Sequence, residues 1–352
     1  MKRPVSLKDL AEELGVSIST VSRALKNSGE VSDAMKEKVR KLAKEKKYRP
    51  NPFAVSLLKN SPRIIGIIVP DIATYYYSSI ISAINQAAVK EGYSTIIVSS
   101  DETYEIEKQC VENLINFRVE GILACVSQQT SDFSHFEVLF DQNIPLVFFD
   151  RVGLSEKSSC VITDNVESAQ TATAHLLENG RKRIGFIGGA NHLNIVKLRK
   201  HGYLQALRDY KIPIDKDLVV CKEIGYELGY EAASRLLALA NPSDAFLCLS
   251  ESLAFGAFKA IRDKGLRIPD DVALIGYIDE IHADYVSPPL SAMTHQTAQI
   301  GKTSFKLLLK QIKGSTEIEK KIIPCILTVR GSSVKKAAGN QLEAPKTTPA
   351  QE

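Results

Sequence analysis

Residues 6–25 read SLKDLAEELGVSISTVSRAL, and this stretch decides the architecture of the N-terminal part of the chain. An apolar stripe at spacings of three and four predicts a first helix and consists of Leu7, Leu10, Ala11 and Leu14. Ser6, followed three residues later by Asp9, is typical of a capping box, and Gly15 ends the helix. Ser17 caps a second helix almost at once. Two helices joined by a short turn that contains glycine are typical of a helix-turn-helix.

The charge of this head indicates a polyanionic partner. A third helix is expected after Ser32, with an apolar stripe of Met35, Val39, Leu42 and Ala43 and a surface rich in lysine. Residues 1–62 carry 14 Lys and Arg against 7 Asp and Glu, so the chain's net charge of +4 leaves a slightly acidic remainder. A basic head on an acidic body favours DNA as the partner. The alternative is a three-helix bundle that makes only protein contacts.

The second helix is predicted to read DNA, because the major groove admits one α-helix whose first residues reach base edges. Arg23 has the fork geometry to pair with a guanine, Ser19 suits either base type, and Ile18 suits a thymine methyl group. Phosphates would be held by helix N-termini, hydroxyl groups and nearby lysines. The predicted DNA contacts are Ser6, Ser17, Ile18, Ser19, Thr20, Ser22, Arg23, Asn27, Tyr48, Asn51 and Leu57.

Residues 50–62, PNPFAVSLLKNSP, predict a short hinge helix. Pro50 ends the preceding helix, Asn51 caps a new one and Pro52 occupies its first position. An isolated helix of this length is marginal in water, so we expect it to order only against a second copy or DNA. An ordinary linker is the alternative.

From Ile64 onward, short apolar runs alternate with helical stretches, which predicts βαβ units and parallel sheets. The predicted strands are Ile64–Val69, Thr95–Ser99, Ile122–Val126, Leu146–Phe149, Val161–Thr163, Ile184–Gly188, Ala245–Leu249 and Val272–Gly276. The predicted helices are Ser78–Glu91, Glu105–Phe117, Val166–Glu178, Leu198–Tyr210, Tyr226–Ala240 and Leu253–Lys264. These strands are too many for one compact sheet. We therefore expect an α/β body of two doubly wound parallel-sheet lobes with a ligand cleft between them.

Motif searches give no support to several other classes of protein. The sequence has no P-loop, G-x-S-x-G or H-E-x-x-H motif, and Gly188–Asn191 lacks the full dinucleotide fingerprint. The six cysteines form no C-x-x-C pair, which favours reduced core residues over metal ligands. No apolar run is long enough for a membrane span, and the N-terminus lacks a secretory signal. We expect a cytoplasmic protein that is not an enzyme and uses no metal or cofactor.

Four segments make the chain resemble the LacI/GalR family of bacterial transcription regulators. They are Leu7–Leu25, Tyr48–Leu57, Ile65–Asp71, and Leu266–Tyr277 together with Pro288–Leu290. The resemblance covers nearly everything from Val5 to about Ser333. It implies a periplasmic-binding-protein-like body, preceded by the small all-α helix-turn-helix domain, that binds a small molecule and forms a homodimer. The family's recognition helices read two half-sites of a near-palindromic operator.

The resemblance also assigns roles to single residues. Leu57 matches the family's intercalating leucine, which kinks the minor groove, although packing between hinge and body is an alternative role. Ile18, Ser19 and Arg23 match base-reading positions. The matching effector-binding positions are Tyr76, Tyr77, Ser127, Gln128, Asp150, Asp164, Asn194, Arg199, Ser250, Asp279 and Gln296. Arg199 is the strongest candidate among them, because a guanidinium fork can clamp two sugar hydroxyls or an acid group. Each could instead be a structural polar residue.

Two departures from the family affect the predicted effector. Ile278 stands where the family often has an acidic residue, and Ser250-Glu251 replaces a frequent Asn-Asp pair. Both positions often contact sugar hydroxyls in the family, so the usual hexose contacts are altered. We therefore expect a repressor that is controlled by a sugar or sugar derivative whose identity stays open. Control by a protein co-regulator, a periplasmic-type binding protein and an α/β enzyme with a DNA-binding head are the alternatives.

These inferences give a domain scheme. We expect a DNA-binding domain over 1–49, a hinge over 50–62 and an effector-binding and dimerisation domain over 63–334. Within the last, the first lobe comprises 63–163 and 291–322, and the second comprises 164–290 and 323–334. The segment 335–352 has no leucine heptad, which favours a dimer with a disordered tail over a tetramer.

Overall fold

The structure is a computed structural model that describes residues 5–48, 62–278 and 280–334. The chain divides into two compact units, residues 1–63 and 64–352. Most of the predicted hinge, with Asn51 and Leu57, lies outside the described residues, as do Asp279 and the predicted tail over 335–352.

The head contains three helices: α1 (Leu7–Leu14), α2 (Ile18–Leu25) and α3 (Asp33–Glu45). The predicted capping box is present, because the Asp9 amide donates to Ser6 Oγ (3.3 Å) and the Ser6 amide donates to Asp9 Oδ2 (2.8 Å). Gly15 ends α1 with φ of 65°, a left-handed conformation that glycine adopts without a steric penalty. The core of the head consists of Leu10, Ala11, Val21, Ala24, Val31, Val39 and Leu42.

The first lobe of the body has a six-stranded sheet in the order β11-β5-β4-β3-β1-β2, and all of its strands are parallel. Its strands are β1 (Ile64–Val69), β2 (Ser94–Ser99), β3 (Ile122–Ala124), β4 (Leu146–Phe149), β5 (Ser159–Thr163) and β11 (Lys320–Ile323). Its helices are α4 (Tyr75–Lys90), α5 (Tyr104–Asn116), α6 (Ser134–Asp141) and α12 (Thr297–Ile312). Separate apolar clusters fill the two faces of this sheet, which explains the nearly unbroken apolar run of β1.

The second lobe repeats this architecture in the order β12-β10-β9-β8-β6-β7. Its strands are β6 (Ile184–Gly188), β7 (Val219–Cys221), β8 (Ala245–Cys248), β9 (Ala273–Gly276), β10 (Ser291–Thr294) and β12 (Ile326–Thr328). Its helices are α7 (Asn165–Glu178), α8 (Asn194–Asp209), α9 (Tyr226–Leu237), α10 (Glu251–Asp263) and the short α11 (Glu280–Ala283), with a 3₁₀ turn over Lys216–Leu218. The fold class is therefore the predicted one, two doubly wound α/β lobes.

Two details of the prediction are corrected by the sheets. Ser291–Thr294 was expected in the first lobe, but it pairs in parallel with β9 and so belongs to the second. The second sheet is also not wholly parallel, because β12 runs antiparallel to β10. The strands β7, β10, β11 and β12 and the helices α6, α11 and α12 were not among the predicted elements. All of them except α12 are short segments, which carry a weak periodic pattern.

The chain crosses between the lobes three times: after β5, after β10 and between β11 and β12. Two predicted effector residues bind these crossings to each other. Asp164 Oδ1 accepts from the Cys325 amide at 2.8 Å, and Gln296 Nε2 donates to the Pro324 carbonyl at 2.8 Å. Both side chains therefore hold adjacent crossing segments in contact.

A close approach of two helices in the second lobe positions the ligand cleft. Gly202 in α8 lies against the backbone of α7, where an added Cβ would stand 2.1 Å from the Val166 carbonyl oxygen. Only glycine permits this distance between the two helices. One turn before Gly202, α8 presents Arg199 to Asn165, the first residue of α7.

Candidate DNA-reading face and ligand cleft

The N-terminal end of α2 presents a small polar face to solvent. Ser17 caps the helix by accepting from the Thr20 amide (3.1 Å), and its hydroxyl also lies 2.7 Å from Ser19 Oγ and 2.8 Å from Thr20 Oγ1. Ile18 is 48% exposed, an unusual fraction for a large apolar side chain in a small domain. An exposed isoleucine beside three hydroxyl groups suits base edges and a thymine methyl group.

The cationic and amide side chains predicted to contact DNA are paired within the head. Arg23 Nη1 lies 2.8 Å from Glu30 Oε2, with both side chains more than half exposed. Asn27, at a φ of 60°, accepts a hydrogen bond from Arg40 Nη2 at 3.0 Å. Exposed ion pairs contribute about 0–1 kcal/mol, so Arg23 can exchange Glu30 for a guanine at small cost.

The remaining predicted contacts in the head have partly structural surroundings. The Ser6 hydroxyl bonds Asp9, and Ser22 is half-buried on α2. Tyr48 packs against the head core, where burial raises the pKa of its hydroxyl. Of the three, only Ser6 stands at a helix N-terminus, the position that suits a phosphate contact.

A cavity of about 540 Å³ separates the two lobes at the carboxyl ends of their strands. Five predicted effector residues line it: Tyr76, Tyr77, Asp150, Arg199 and Ser250. Ligands of doubly wound sheets bind at this end, and the volume lies in the range of small-molecule sites.

Arg199 is the most firmly held polar group of the cavity. It is only 3% exposed, and its Nε donates to Asn165 Oδ1 at 2.8 Å while Nη1 donates to the Leu249 carbonyl at 2.9 Å. Its guanidinium carbon lies 3.6 Å from the centre of the Tyr277 ring, a cation–π contact. Asn165 is itself oriented, since its Nδ2 donates to the Thr163 carbonyl at 3.2 Å. The guanidinium is therefore fixed before any ligand arrives.

His295 faces Arg199 as a neutral acceptor. Arg199 Nη2 lies 3.2 Å from His295 Nε2, and because arginine only donates, Nε2 accepts and the ring proton sits on Nδ1. Burial and then the positive charge of Arg199 hold the pKa of His295 well below its usual value. Tyr76 and Tyr277 flank the imidazole at centroid distances of 4.7 and 5.6 Å. Three of the five N–H groups of Arg199 are thus used by the described residues, and two remain for a ligand.

Asp150 forms the opposite, first-lobe wall. It follows β4 at a φ of 59°, which aspartate tolerates better than most residues, and it is buried. Its Oδ2 accepts from the Tyr77 hydroxyl at 3.4 Å. The Tyr76 hydroxyl has no hydrogen-bond partner of normal geometry among the described residues. Burial, with a smaller contribution from Asp150, raises the pKa of Tyr76, so this hydroxyl stays protonated.

Several cavity residues were not predicted from the sequence. Arg151 Nη1 donates to Glu102 Oε2 at 2.7 Å, and His282 Nδ1 bonds Glu251 at the start of α10. Asp71, Tyr277 and His295 also line the cavity and were not among the predicted effector residues. The resemblance had pointed to Ser250–Glu251 as an altered site, and Glu251 does line the cavity. Arg151 adjoins the predicted Asp150, so adjacency in sequence was the one available signal.

Other predicted effector residues are not brought to this cavity. Ser127 is buried, and its amide and hydroxyl are used by Glu107 (2.6 Å) and Thr130 (2.8 Å). Gln128 joins the lobes by accepting from the Ile224 amide at 3.0 Å. Asn194 starts α8 and lines a separate cavity of about 260 Å³.

The other predicted effector positions, and the departure from the family pattern at Ile278, also lie away from the cavity or outside the described residues. Asp164 and Gln296 bind the crossing segments, as described above, and do not line the cavity. Asp279 lies outside the described residues. Ile278, the departure from the family pattern, is buried in the core of the second lobe.

The described parts of the chain offer neither a metal site nor a membrane-spanning helix. No group of three or more metal-binding side chains occurs among these residues. None of the helices that the structure describes has both the length and the apolar composition needed to cross a bilayer.

Comparison with known proteins identifies the class of this chain. Residues 6–51 match the family of bacterial regulatory proteins of the lacI type, and residues 63–330 match the periplasmic binding proteins and sugar-binding domain of the LacI family. The chain therefore belongs to the LacI family of bacterial regulatory proteins. It is a DNA-binding, effector-binding transcriptional repressor and not an enzyme.

Individual relatives support this assignment over nearly the whole chain. The chain is 32% identical over 330 residues to the HTH-type transcriptional repressor CytR of Escherichia coli (strain K12), covering 93% of this chain and 96% of that protein. A lac repressor dimer bound to operator and the anti-inducer ONPF superposes with a TM-score of 0.82 at 26% identity, covering 95% of this chain and all of that one. The regulator CelR in complex with cellobiose gives a TM-score of 0.72 at 28% identity, covering 94% and 100%.

Proposed function

We propose that this repressor binds a near-palindromic operator as a homodimer in the cytoplasm and that a sugar-like effector in the inter-lobe cavity controls its affinity for DNA. The observation that carries the proposal is the cavity itself, in which Arg199 is fixed by Asn165, the Leu249 carbonyl and Tyr277 and still has two N–H groups directed to no described residue. Such a preorganised donor suits a hydroxylated ligand that both lobes enclose.

The head supports the DNA-binding part of the proposal. Ile18 and Ser19 at the start of α2 and Arg23 in its last turn are all exposed, and the described residues of the head carry more Lys and Arg than Asp and Glu. One such helix reads one half-site, so two copies would read two half-sites about one helical turn or a multiple of it apart. Two solved relatives support both parts of the proposal. The lac repressor structure is a dimer bound to operator, and the CelR structure is a complex with cellobiose.

Effector control follows from linkage between the two sites. A ligand that contacts both lobes favours the lobe arrangement that it binds more tightly, and it changes DNA affinity by the same factor as DNA changes its own. The direction of that change depends on which arrangement the operator-bound protein adopts.

The first experiment is to recover the operator by selecting duplexes from a random pool with the purified full-length chain. Fluorescence anisotropy then measures operator affinity with and without members of a panel of sugars, glycosides and nucleosides. We expect selected sites with two related half-sites, a dimer in sedimentation analysis and at least one compound that changes operator affinity tenfold or more, about 1.4 kcal/mol. Selected sites with a single half-site, or a monomer on DNA, would contradict the dimer proposal.

A further inference from the structure

The charge of the cavity wall restricts the effector more narrowly than the fold does. Four carboxylates line the cavity, from Asp71, Glu102, Asp150 and Glu251, against the two guanidinium groups of Arg151 and Arg199. No lysine is present among the described lining residues. The carboxylate and guanidinium groups of the wall therefore sum to a net charge of −2.

Of the two guanidinium groups, only that of Arg199 has no carboxylate partner among the described residues. Arg151 is buried and donates to Glu102 at 2.7 Å, so its charge is already paired with a carboxylate that is only partly exposed. Arg199 has two N–H groups to offer, but its guanidinium lies flat against Tyr277 and its position is fixed on three sides. A phosphate would therefore meet at most one cation among four carboxylates.

The cavity's unpaired polar atoms include a hydrogen-bond acceptor and donors, so a matching ligand must both donate and accept. Asp150 uses one carboxylate oxygen for the Tyr77 hydroxyl and the Cys125 thiol, and the described residues donate no hydrogen bond to the other. The Tyr76 hydroxyl beside it is buried and without a partner among them. A hydroxyl group can donate to Asp150 and accept from Arg199, whereas a phosphate dianion or a carboxylate only accepts.

The apolar part of the wall suits the same class of ligand. The rings of Tyr76 and Tyr277 flank His295 and face the cavity, and Phe255 lies on the second-lobe side. Such rings pack against the apolar C–H face of a sugar, and their negative faces disfavour an anion.

We infer that the cleft selects an uncharged ligand with several hydroxyl groups and rejects its phosphorylated or carboxylated counterpart. This inference rests on the proposed function, since it concerns the effector of the same cavity. It excludes the second role that the sequence allowed for Arg199, which is to bind an acid group of the ligand.

Matched pairs of compounds test the inference directly. The probes are ribose and ribose 5-phosphate, glucose and glucose 6-phosphate, glucose and gluconate, cellobiose and its phosphate ester, and adenosine and cytidine with their 5′-monophosphates. Thermal shift of the full-length protein identifies responsive pairs, and calorimetric titration then measures both members. We expect at least one uncharged member to bind and its anionic counterpart to bind at least tenfold more weakly.

The outcomes separate this inference from the proposed function. An anionic member that binds as tightly as its neutral partner overturns the inference, but if it also changes operator affinity the proposed function stands. A neutral member that binds without any effect on operator affinity supports the inference and counts against the proposed control. Absence of binding by every neutral member overturns the inference.

A charge variant with a matched control locates the selectivity. In Asp150→Asn the neutral ligand is expected to bind at least tenfold more weakly, while the anionic counterpart binds no more weakly than before. The gap, which is the ratio of the neutral ligand's affinity to the anionic ligand's affinity, therefore narrows. Asp141→Asn removes the same charge from an exposed position at the end of α6 in the same lobe and is expected to keep the wild-type gap. Glu251→Gln, which removes a second wall charge, is expected to narrow the gap as well and serves if Asp150→Asn fails to fold. An unchanged gap in both wall variants would contradict the inference.

Discussion

The DNA-reading face of the head and the ligand cleft of the body are built in opposite ways. On the head, Ser17 bonds residues two and three positions away, and Ile18 projects into solvent. In the cleft, Arg199 is held by Asn165, Leu249 and His295, which lie 34, 50 and 96 positions away in the chain. The first site is local and exposed, whereas the second is assembled from distant segments and buried.

This difference decides how each site responds to change. An exposed, locally bonded face can lose one side chain without loss of core packing, so substitutions there mainly affect DNA binding. A buried network has every member bonded to another, so removing one leaves unpaired polar atoms and affects folding and ligand binding together. Substitutions chosen at matched positions in the two regions test this contrast.

The largest effect is expected from Gly202→Val. A Cβ at this position would meet the Val166 carbonyl oxygen at 2.1 Å and the Gln170 amide nitrogen at 3.0 Å, both of them backbone atoms of α7 that cannot turn away. We expect destabilisation of the body by about 3 kcal/mol or more, together with loss of ligand response, because α8 would carry Arg199 away from Asn165. Thermal unfolding with and without ligand measures both effects.

The head supplies the control for this variant. Gly29 has no atom within 4 Å of an added Cβ, so Gly29→Val is expected to change stability by no more than about 0.5 kcal/mol. Equal destabilisation by the two substitutions would show that the contact between α7 and α8 does not position the cleft.

Arg199→Ala is expected to reduce ligand affinity by at least about 100-fold, while operator affinity without ligand stays within about twofold. Hydrogen bonds to a charged group contribute about 1.5–3 kcal/mol each, and two of them would be lost to the ligand. Arg208→Ala removes an exposed arginine from the same helix and serves as the control. A normal ligand response in Arg199→Ala would exclude the guanidinium as a ligand contact.

The sequence predicted the head nearly to the residue, because its signals are short-range. The bounds of α1, the start of α2 after Ser17, the capping box at Ser6 and the glycine that ends α1 all depend on residues within one or two turns. The two-lobed class of the body also followed from alternation of strands and helices. The edge strand β12 did not, since an antiparallel partner is chosen by the whole sheet and its own pattern is weak.

The cleft was predictable only in part, for the same reason. The family resemblance predicted Tyr76, Asp150 and Arg199 as effector-binding residues, and all three line the cavity. The contacts of Tyr277 and His295 with Arg199 were not predicted, because each joins segments that are far apart in the chain. Ser127 was assigned to the ligand on its position after a strand, but the buried Glu107 uses its amide instead.

Arg23→Ala tests whether the exposed face reads bases. We expect a loss of about 1–3 kcal/mol in operator affinity and relaxed preference at one base pair in each half-site. Arg23→Lys keeps the charge but not the two-pronged geometry, so it is expected to lose the base preference while retaining more affinity. Affinity measured on operators substituted at single positions distinguishes the cases, and a uniform loss on all sequences would assign Arg23 to a phosphate.

Buried histidines of the body predict a loss of folding stability as the pH falls below about 6.5. Residues 1–62 contain no histidine, so the head does not contribute to this loss. Burial and the Arg199 charge hold the pKa of His295 well below 6.5, so as the pH falls below 6.5 the unfolded chain gains a proton at this site that the folded chain does not. Stability is therefore complete above that pH and is lost as pH falls, by at most about 1.4 kcal/mol per pH unit from this group. Burial also lowers the pKa of His175, which contributes in the same direction.

His295→Gln isolates the contribution of the cleft, since the glutamine Oε1 can replace Nε2 as acceptor for Arg199 without titrating. We expect denaturant unfolding of this variant to show a smaller loss of stability than the wild type between about pH 7.5 and about pH 5.5. His175→Gln in the same experiment measures the other histidine. An unchanged pH slope in His295→Gln would mean that the imidazole is not held neutral by the fold.

The smallest expected effect is a difference in stability between alanine substitutions at two residues that precede helices of the head. Ser17 and Ser32 both precede a helix, but only Ser17 accepts a hydrogen bond from the helix backbone, at 3.1 Å from the Thr20 amide. Ser17→Ala is therefore expected to destabilise the head by about 1 kcal/mol, and Ser32→Ala by clearly less. Because the Ser17 hydroxyl also touches Ser19 and Thr20, its loss is expected to weaken operator binding as well, whereas Ser32→Ala leaves it unchanged. Equal effects of the two substitutions on head unfolding and on operator affinity would show that the hydroxyl network at the start of α2 does not support the DNA-reading face.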